Sequence, residues 1–264
     1  MDDIIIENLS ISFPLAQGEV VHSVSVRFRH NKITAVVGES GSGKSLLGKS
    51  IVNLIPEAKI SGKIKVGVQK LDGVYQDKLR GKGIFYIPQN PLTALNPTLT
   101  IREQFLDLLY FHEQDVSNVS EIHNVLKEYG LEDCQRILNS YPFQLSGGMQ
   151  QRVICAMANL LRPKWIIADE PTKGVDAIAR KQVVNIFRKL QENISCGIIV
   201  ITHDLQVAEV LSHYLVVMES GLIRECGVTY KCILSPKSKY LNQLLSKSLY
   251  RKTLLNRGGD KSNV

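Results

Sequence analysis

The sequence predicts an α/β fold, with a mostly parallel sheet flanked by helices, an antiparallel β element at the N-terminus and an α-helical insertion. Three observations carry this expectation. Four short runs (33–37, 84–87, 165–168 and 198–201) are almost wholly apolar and rich in β-branched residues, as strands buried on both faces of a parallel sheet are. Segments with apolar residues at helical spacing, 44–54, 150–161 and 177–192, follow or separate them, the alternation typical of layered α/β architectures. The chain has 264 residues, 44% hydrophobic and 22% charged, enough to close a sizeable core without disulfides or a structural metal.

The elements follow in order. Residues 4–6, 11–13 and 20–28 read as strands separated by turn residues, hence the antiparallel opening. The run 33–37 leads into a glycine-rich stretch and then the helix 44–54. The run 84–87 ends at Gln89, a loop position flanked by Pro88 and Pro91. From 100 to about 140 the pattern is helical and largely polar, and a helical insertion over about 100–150 is expected. After the helix 177–192 and the strand 198–201, residues 237–255 again show helical spacing, now on a basic background. One domain over 1–246 and a basic C-terminal tail over 247–264 are expected.

Charge supports that division. The net charge is +7, and residues 231–264 hold eight Lys/Arg against one acid, so the excess sits at the end of the chain. Such a tail suits anionic lipid, an acidic partner surface or simple solvation. No apolar run reaches the ~18 residues that span a bilayer, and Met1-Asp2-Asp3 does not open a secretory signal. A soluble, cytoplasmic protein is expected. The five cysteines form no CxxC pair, which reads as scattered reduced thiols.

The strongest chemical signal is Gly38-Glu39-Ser40-Gly41-Ser42-Gly43-Lys44-Ser45, a GxxxxGK[ST] phosphate-binding loop set between a predicted strand and a predicted helix. Its glycines let backbone N–H groups face a phosphate at a helix N-terminus. Lys44 brings a charge to the β/γ-phosphates, and the Ser45 hydroxyl suits Mg²⁺. A second anion site is Ser146-Gly147-Gly148 in Leu145–Arg152, a hydroxyl and exposed N–H groups at the head of a helix. The apolar run 165–168 ends in Asp169 and Glu170, and Thr202-His203-Asp204 follows the run 198–201.

Together the phosphate loop and Leu-Ser-Gly-Gly-Met-Gln-Gln-Arg resemble the nucleotide-binding subunit of ABC transporters, over about residues 4–246. The resemblance implies a P-loop ATPase core that binds ATP and Mg²⁺. It assigns Asp169 to Mg²⁺ through water, Glu170 to general-base catalysis and His203 to the γ-phosphate and the attacking water. Gln89 resembles the glutamine that touches Mg²⁺ and links the ATP site to the membrane partner, and Phe13 the aromatic that stacks on adenine. Where the family often reads PTTALD, this chain reads Pro171-Thr172-Lys173-Gly174-Val175-Asp176. Asp176 is kept; Lys173 adds a charge and Gly174 backbone freedom, with an effect on the dimer interface left open.

The resemblance further implies two subunits meeting head to tail, each ATP lying between the Lys44 loop of one and the Ser146 helix end of the other. The second ATPase is expected to be a related, different chain, with self-pairing the alternative. Two separate membrane-spanning permease subunits and, indirectly, an extracellular or periplasmic solute-binding protein are implied; nucleic acid is not. The expected location is the cytoplasmic face of the membrane. Tandem-cassette translation ATPases, coiled-coil DNA-repair ATPases and simple kinases or GTPases fit the motif set less well.

Several details look like the dipeptide/oligopeptide/nickel importer group: GESGSGKS, the run from Pro88 to Pro97, Tyr141-Pro142-Phe143-Gln144, and Ser235-Pro236-Lys237 leading to Tyr240. The short end and the run from Arg136 to Phe143 look closer to the nickel-type subunit. That makes nickel or a metal chelate the expected cargo, with small peptides the alternative.

Overall fold

The computed structural model describes residues 2–14, 18–71, 73–115, 119–174 and 176–247. The strands are β1 (Ile4–Ser12), β2 (Glu19–Phe28), β3 (Ile33–Val37), β4 (Lys59–Val66), β5 (Gln69–Lys70), β6 (Ile84–Ile87), β7 (Trp165–Asp169), β8 (Gly197–Thr202), β9 (Tyr214–Glu219) and β10 (Leu222–Val228). The helices are α1 (Lys44–Ile51), α2 (Gly73–Leu79), α3 (Ile101–Phe111), α4 (Val119–Glu128), α5 (Cys134–Asn139), α6 (Gly147–Leu161), α7 (Ala177–Ile194), α8 (Leu205–Leu211), α9 (Thr229–Leu234) and α10 (Lys239–Lys247).

Two sheets form. A six-stranded sheet runs β10-β9-β3-β8-β7-β6, parallel except for the β9–β10 hairpin. A four-stranded antiparallel sheet runs β2-β1-β4-β5. Every residue of β3, β7 and β8 is buried, which is why these strands are apolar throughout rather than alternating.

Their alternation still sorts side chains between faces. Trp165, Ile167, Ile199 and Ile201 share one core with Leu47 and Ile51 of α1 and the inner face of the antiparallel sheet. Ile166, Ala168, Ile198 and Val200 point the other way, into a core with α3 to α7. A third core joins Ala35, Val37, Leu215 and Val217 to α8, α9 and α10.

Three departures from the sequence reading have local causes. Residues 4–6 and 11–12 belong to one strand, β1, with Phe13 just past its end; the pairing of β1 with β2 and β4 shifts register between Ile6 or Glu7 and Leu9 or Ser10. Asn8 sits at the kink with φ 50°, a left-handed conformation that asparagine tolerates. Opposite it, a Cβ at Gly62 would collide with the Asn8 carbonyl oxygen. The helix predicted over 44–54 stops at Ile51, where Asn53 turns left-handed (φ 53°), a common way to end a helix. The insertion expected over about 100–150 takes in the head of α6, a single helix that runs on from Gly147 to Leu161.

The expected boundary at 246/247 falls in the last turn of α10. The remainder of the predicted tail, and the helical pattern beyond 247, lie outside the described residues. Among the described residues no helix is long and apolar enough to cross a membrane. All five cysteines are free thiols, and Cys226 alone of them is exposed.

Candidate functional site

The phosphate loop leaves β3 at the carboxyl edge of the sheet and enters α1, where α/β sheets bind ligands. Gly38 is required by close approach: a Cβ there would fall inside the Met218 carbonyl of neighbouring β9. Gly41 and Gly43 adopt φ of 81° and 93°, open to glycine at no steric cost. Lys44 folds back under the loop, its ammonium donating to the Gly38 carbonyl (2.8 Å), the Glu39 carbonyl (2.7 Å) and Ser42 Oγ (3.3 Å). Burial pushes the Lys44 ammonium below the usual lysine range, opposed by the Glu170 and Asp169 carboxylates.

Strand β7 ends beside this loop. Ser45 Oγ donates to Asp169 Oδ1 at 2.8 Å, and the Tyr86 hydroxyl donates to Asp169 Oδ2 at 2.9 Å. Burial, then the adjacent Asp169 charge, raises the Tyr86 phenol well above its usual range. Tyr86 therefore stays a neutral donor that orients the carboxylate, a role sequence reasoning missed because 84–87 read only as a buried strand.

Glu170 lies at the strand end with φ 47°, a conformation that costs a non-glycine residue about 1–3 kcal/mol. Its N–H donates to the Ile201 carbonyl (2.8 Å), and its own carbonyl accepts from the Lys173 N–H (3.0 Å). Those bonds hold the turn. Glu170 Oε2 then meets His203 Nδ1 at 2.7 Å; the Glu170 side chain is 11% exposed and that of His203 56%. His203 follows β8, next to β7 in the sheet, so topology brings together two residues 33 positions apart.

A cavity of about 220 Å³ unites these groups. Ser40 to Leu46, Gln89, Glu170 and Lys173 line it, together with Val20. A larger cavity lies elsewhere, around His213 and Tyr230, but it lacks this set of charged and loop groups. Thus Ser40, Gly41, Ser42, Gly43, Lys44, Ser45, Gln89 and Glu170 converge on one cavity. Asp169 and His203 back the cavity through their bonds to Ser45 and Glu170.

Mg²⁺ prefers hard oxygen donors. The Ser45 hydroxyl and Asp169 Oδ1, already 2.8 Å apart, with the Gln89 amide on the same wall, supply such donors.

Other predicted residues stand apart. Ser146 caps α6, its Oγ accepting from the Met149 N–H at 3.3 Å. Ser146, Gly147 and Gly148 are exposed, and a Cβ on either glycine would meet only open space. They do not line the cavity. Asp176 is exposed at the head of α7, its carbonyl accepting from the Arg180 N–H at 2.9 Å. Phe13 is half-buried at the edge of the core beneath the antiparallel sheet, also away from the cavity lining. The exposed Glu39 carboxylate pairs with Lys247 of α10 at 2.9 Å, a partner no local motif could reveal.

Comparison with known proteins agrees with this geometry. A family model described as ABC transporter matches residues 21–173. The oligopeptide transport ATP-binding protein OppD of Lactococcus lactis subsp. cremoris is 34% identical over 248 residues, 90% of this chain and 73% of that protein. The metal-staphylopine import system ATP-binding protein CntD of Staphylococcus aureus is 35% identical over 249 residues, 91% of each chain. An uncharacterized ABC transporter ATP-binding protein of Escherichia coli, YejF, is 37% identical, but the chain spans about half (47%) of its length.

Among solved structures, the dimeric ABC transporter cassette MJ0796 superposes with TM-score 0.74 at 27% identity, covering 86% of this chain and 98% of that one. The same cassette is known in a dimeric post-hydrolysis state bound to ADP and Pi, with equal similarity.

Proposed function

We propose, from the premise that this chain belongs to the ABC transporter family, that it is the ATP-hydrolysing subunit of an importer whose cargo is nickel or a metal chelate. The observation that carries the ATPase role is the pairing of Glu170 with His203 at 2.7 Å beside the Lys44–Ser45 loop. The loop N–H groups and Lys44 hold the ATP phosphates. Mg²⁺ held by Ser45, Gln89 and Asp169 supplies charge neutralisation at the β/γ-phosphates when bound.

The Glu170 carboxylate takes a proton from the attacking water, and His203 keeps that carboxylate aimed and contacts the γ-phosphate. His203 meets Glu170 through Nδ1 at 2.7 Å, so Nε2 is the ring nitrogen that would turn toward the γ-phosphate. In P-loop ATPases such positioning and electrostatics supply most of the catalysis.

Within one chain the exposed Ser146 end does not line the cavity that the phosphate loop forms. A head-to-tail pair would complete each ATP site with the partner's Ser146, Gly147 and Gly148, with Asp176 at the interface; that the similar MJ0796 cassette is dimeric supports pairing. ATP would then favour the closed pair and hydrolysis release it. Phe13 would stack on adenine. The pair would sit on the cytoplasmic face of two permease subunits, reached near Gln89 and the insertion, and a solute-binding protein would deliver the cargo.

Metal chelate comes first because the staphylopine-system subunit aligns over nearly all of both chains and the Arg136–Phe143 run looks nickel-type. Peptide cargo is the second reading, supported by OppD. Uptake of labelled Ni²⁺, free and chelated, in source cells carrying native chain or Glu170→Gln tests it. Loss of uptake in the variant is expected. Unchanged uptake, with the variant protein present at native level, sinks the metal assignment and moves the assay to labelled di- and oligopeptides.

A further inference from the structure

We propose that Lys173 is a second cation of the nucleotide site, one that contacts the terminal phosphate and so makes the chain prefer ATP to ADP. The proposal deepens the ATPase reading above and rests on it. Three observations lead to it.

First, Lys173 lines the same 220 Å³ cavity as the phosphate loop, Gln89 and Glu170. Lys44 and Lys173 are the cations on that wall, and Glu170 is the anion.

Second, the two lysines differ in commitment. The three N–H bonds of the Lys44 ammonium are directed at three acceptors of its own loop, Gly38 O, Glu39 O and Ser42 Oγ. Among the described residues the Lys173 ammonium has no hydrogen-bond or ion-pair partner. An anion entering the cavity meets one cation tied to carbonyls and one free to turn toward it. Glu170, the acid that might have neutralised Lys173, is already engaged by His203.

Third, Lys173 is placed by the same turn as the general base. Its N–H donates to the Glu170 carbonyl at 3.0 Å, and Gly174 follows with φ 74°. Lys173 therefore belongs to the Glu170 end of the cavity, where the bond to the terminal phosphate is broken. The loop N–H groups at the other end serve the β-phosphate of ATP and ADP alike. A lysine at the Glu170 end adds a charge-assisted contact that only the triphosphate can accept.

The test compares native chain, Lys173→Ala, Lys173→Gln and Lys173→Arg. Affinities for a non-hydrolysable ATP analogue and for ADP, both with Mg²⁺, are measured by titration calorimetry. Protein is kept dilute enough for light scattering to show monomers, so that pairing does not contribute. Lys173→Ala and Lys173→Gln are expected to weaken the ATP analogue about five- to tenfold and ADP less than twofold, and Lys173→Arg to keep the native ratio. A native ratio in the Ala and Gln variants overturns the proposal, as does an equal loss for both nucleotides. Failure of the native chain to bind either nucleotide overturns the ATPase reading itself, a result distinct from both.

Discussion

The Tyr240 hydroxyl accepts a hydrogen bond from the Glu39 backbone N–H at 2.9 Å, across 201 positions of sequence. Glu39 is also the residue whose carbonyl holds the Lys44 ammonium and whose carboxylate pairs with Lys247. Helix α10 thus fastens the phosphate loop from outside, while Glu225 of β10 fixes the start of α10 by accepting the Lys237 and Ser238 N–H groups at 2.7–3.1 Å. Tyr240→Phe removes the acceptor and nothing else, at a site 7% exposed. It should cost about 1 kcal/mol and weaken ATP and ADP equally, by about fivefold. Nucleotide titration checks this, and equal loss separates it from the selective loss expected at Lys173.

Glu170→Gln keeps size and the His203 contact but removes the base. Phosphate release should fall by at least about 10²-fold, while ATP affinity stays within a few-fold of native. Turnover at the native rate would take Glu170 out of catalysis.

Ser146→Arg places a long cation on an exposed helix end that a partner's γ-phosphate should approach. ATP-driven pairing, followed by light scattering in the Glu170→Gln background, should disappear, whereas binding of nucleotide to the monomer should not change. Pairing that survives means the composite-site arrangement is wrong.

Asp3 makes stability depend on pH. Burial raises its carboxyl, but the His30 N–H (2.8 Å) and the Arg27 guanidinium (2.6 Å) together outweigh that and hold it below its ordinary value. The unfolded chain then binds the proton more readily than the folded one. The contribution is complete above an unfolded value of about 3.9 and is lost as pH falls through the depressed folded value. Asp3→Asn should lower stability at pH 7 by about 1–2 kcal/mol and flatten the acid limb of Tm against pH. An acid limb as steep as the native one would rule this out.

Legibility followed the range of the interactions. The loop 38–45, the strands 33–37 and 84–87 and the Asp169-Glu170 pair announce themselves because each is a contiguous string whose spacing is its chemistry. Strand β4 stayed hidden although Ile60, Ile64 and Val66 alternate with Lys59, Lys63 and Lys65: Gly62 interrupts that apolar face, and the first five residues are exposed. Strand β9 was passed over although Leu215 to Met218 is apolar and wholly buried; nothing local marks it as the partner of β3. Tyr86 and Tyr240 act through hydroxyls that reach Asp169 and Glu39, 83 and 201 positions away, and no local pattern encodes such a meeting. Lys173 was visible as an odd residue, but its place on the cavity wall was not.

The strand order carries a consequence for how the molecule is made. Strand β3, which delivers the phosphate loop, is hydrogen-bonded on one side to β8 and on the other to β9. Both neighbours are encoded more than 150 residues later, and the hydroxyl that steadies Glu39 later still. At synthesis speeds of roughly 5–20 residues per second, the loop exists for about 8–30 s as a glycine-rich segment with no sheet to hang from. The phosphate loop is therefore among the later parts of the site to acquire its shape, and a nascent chain has no sheet to hold that loop until β8 and β9 have left the ribosome.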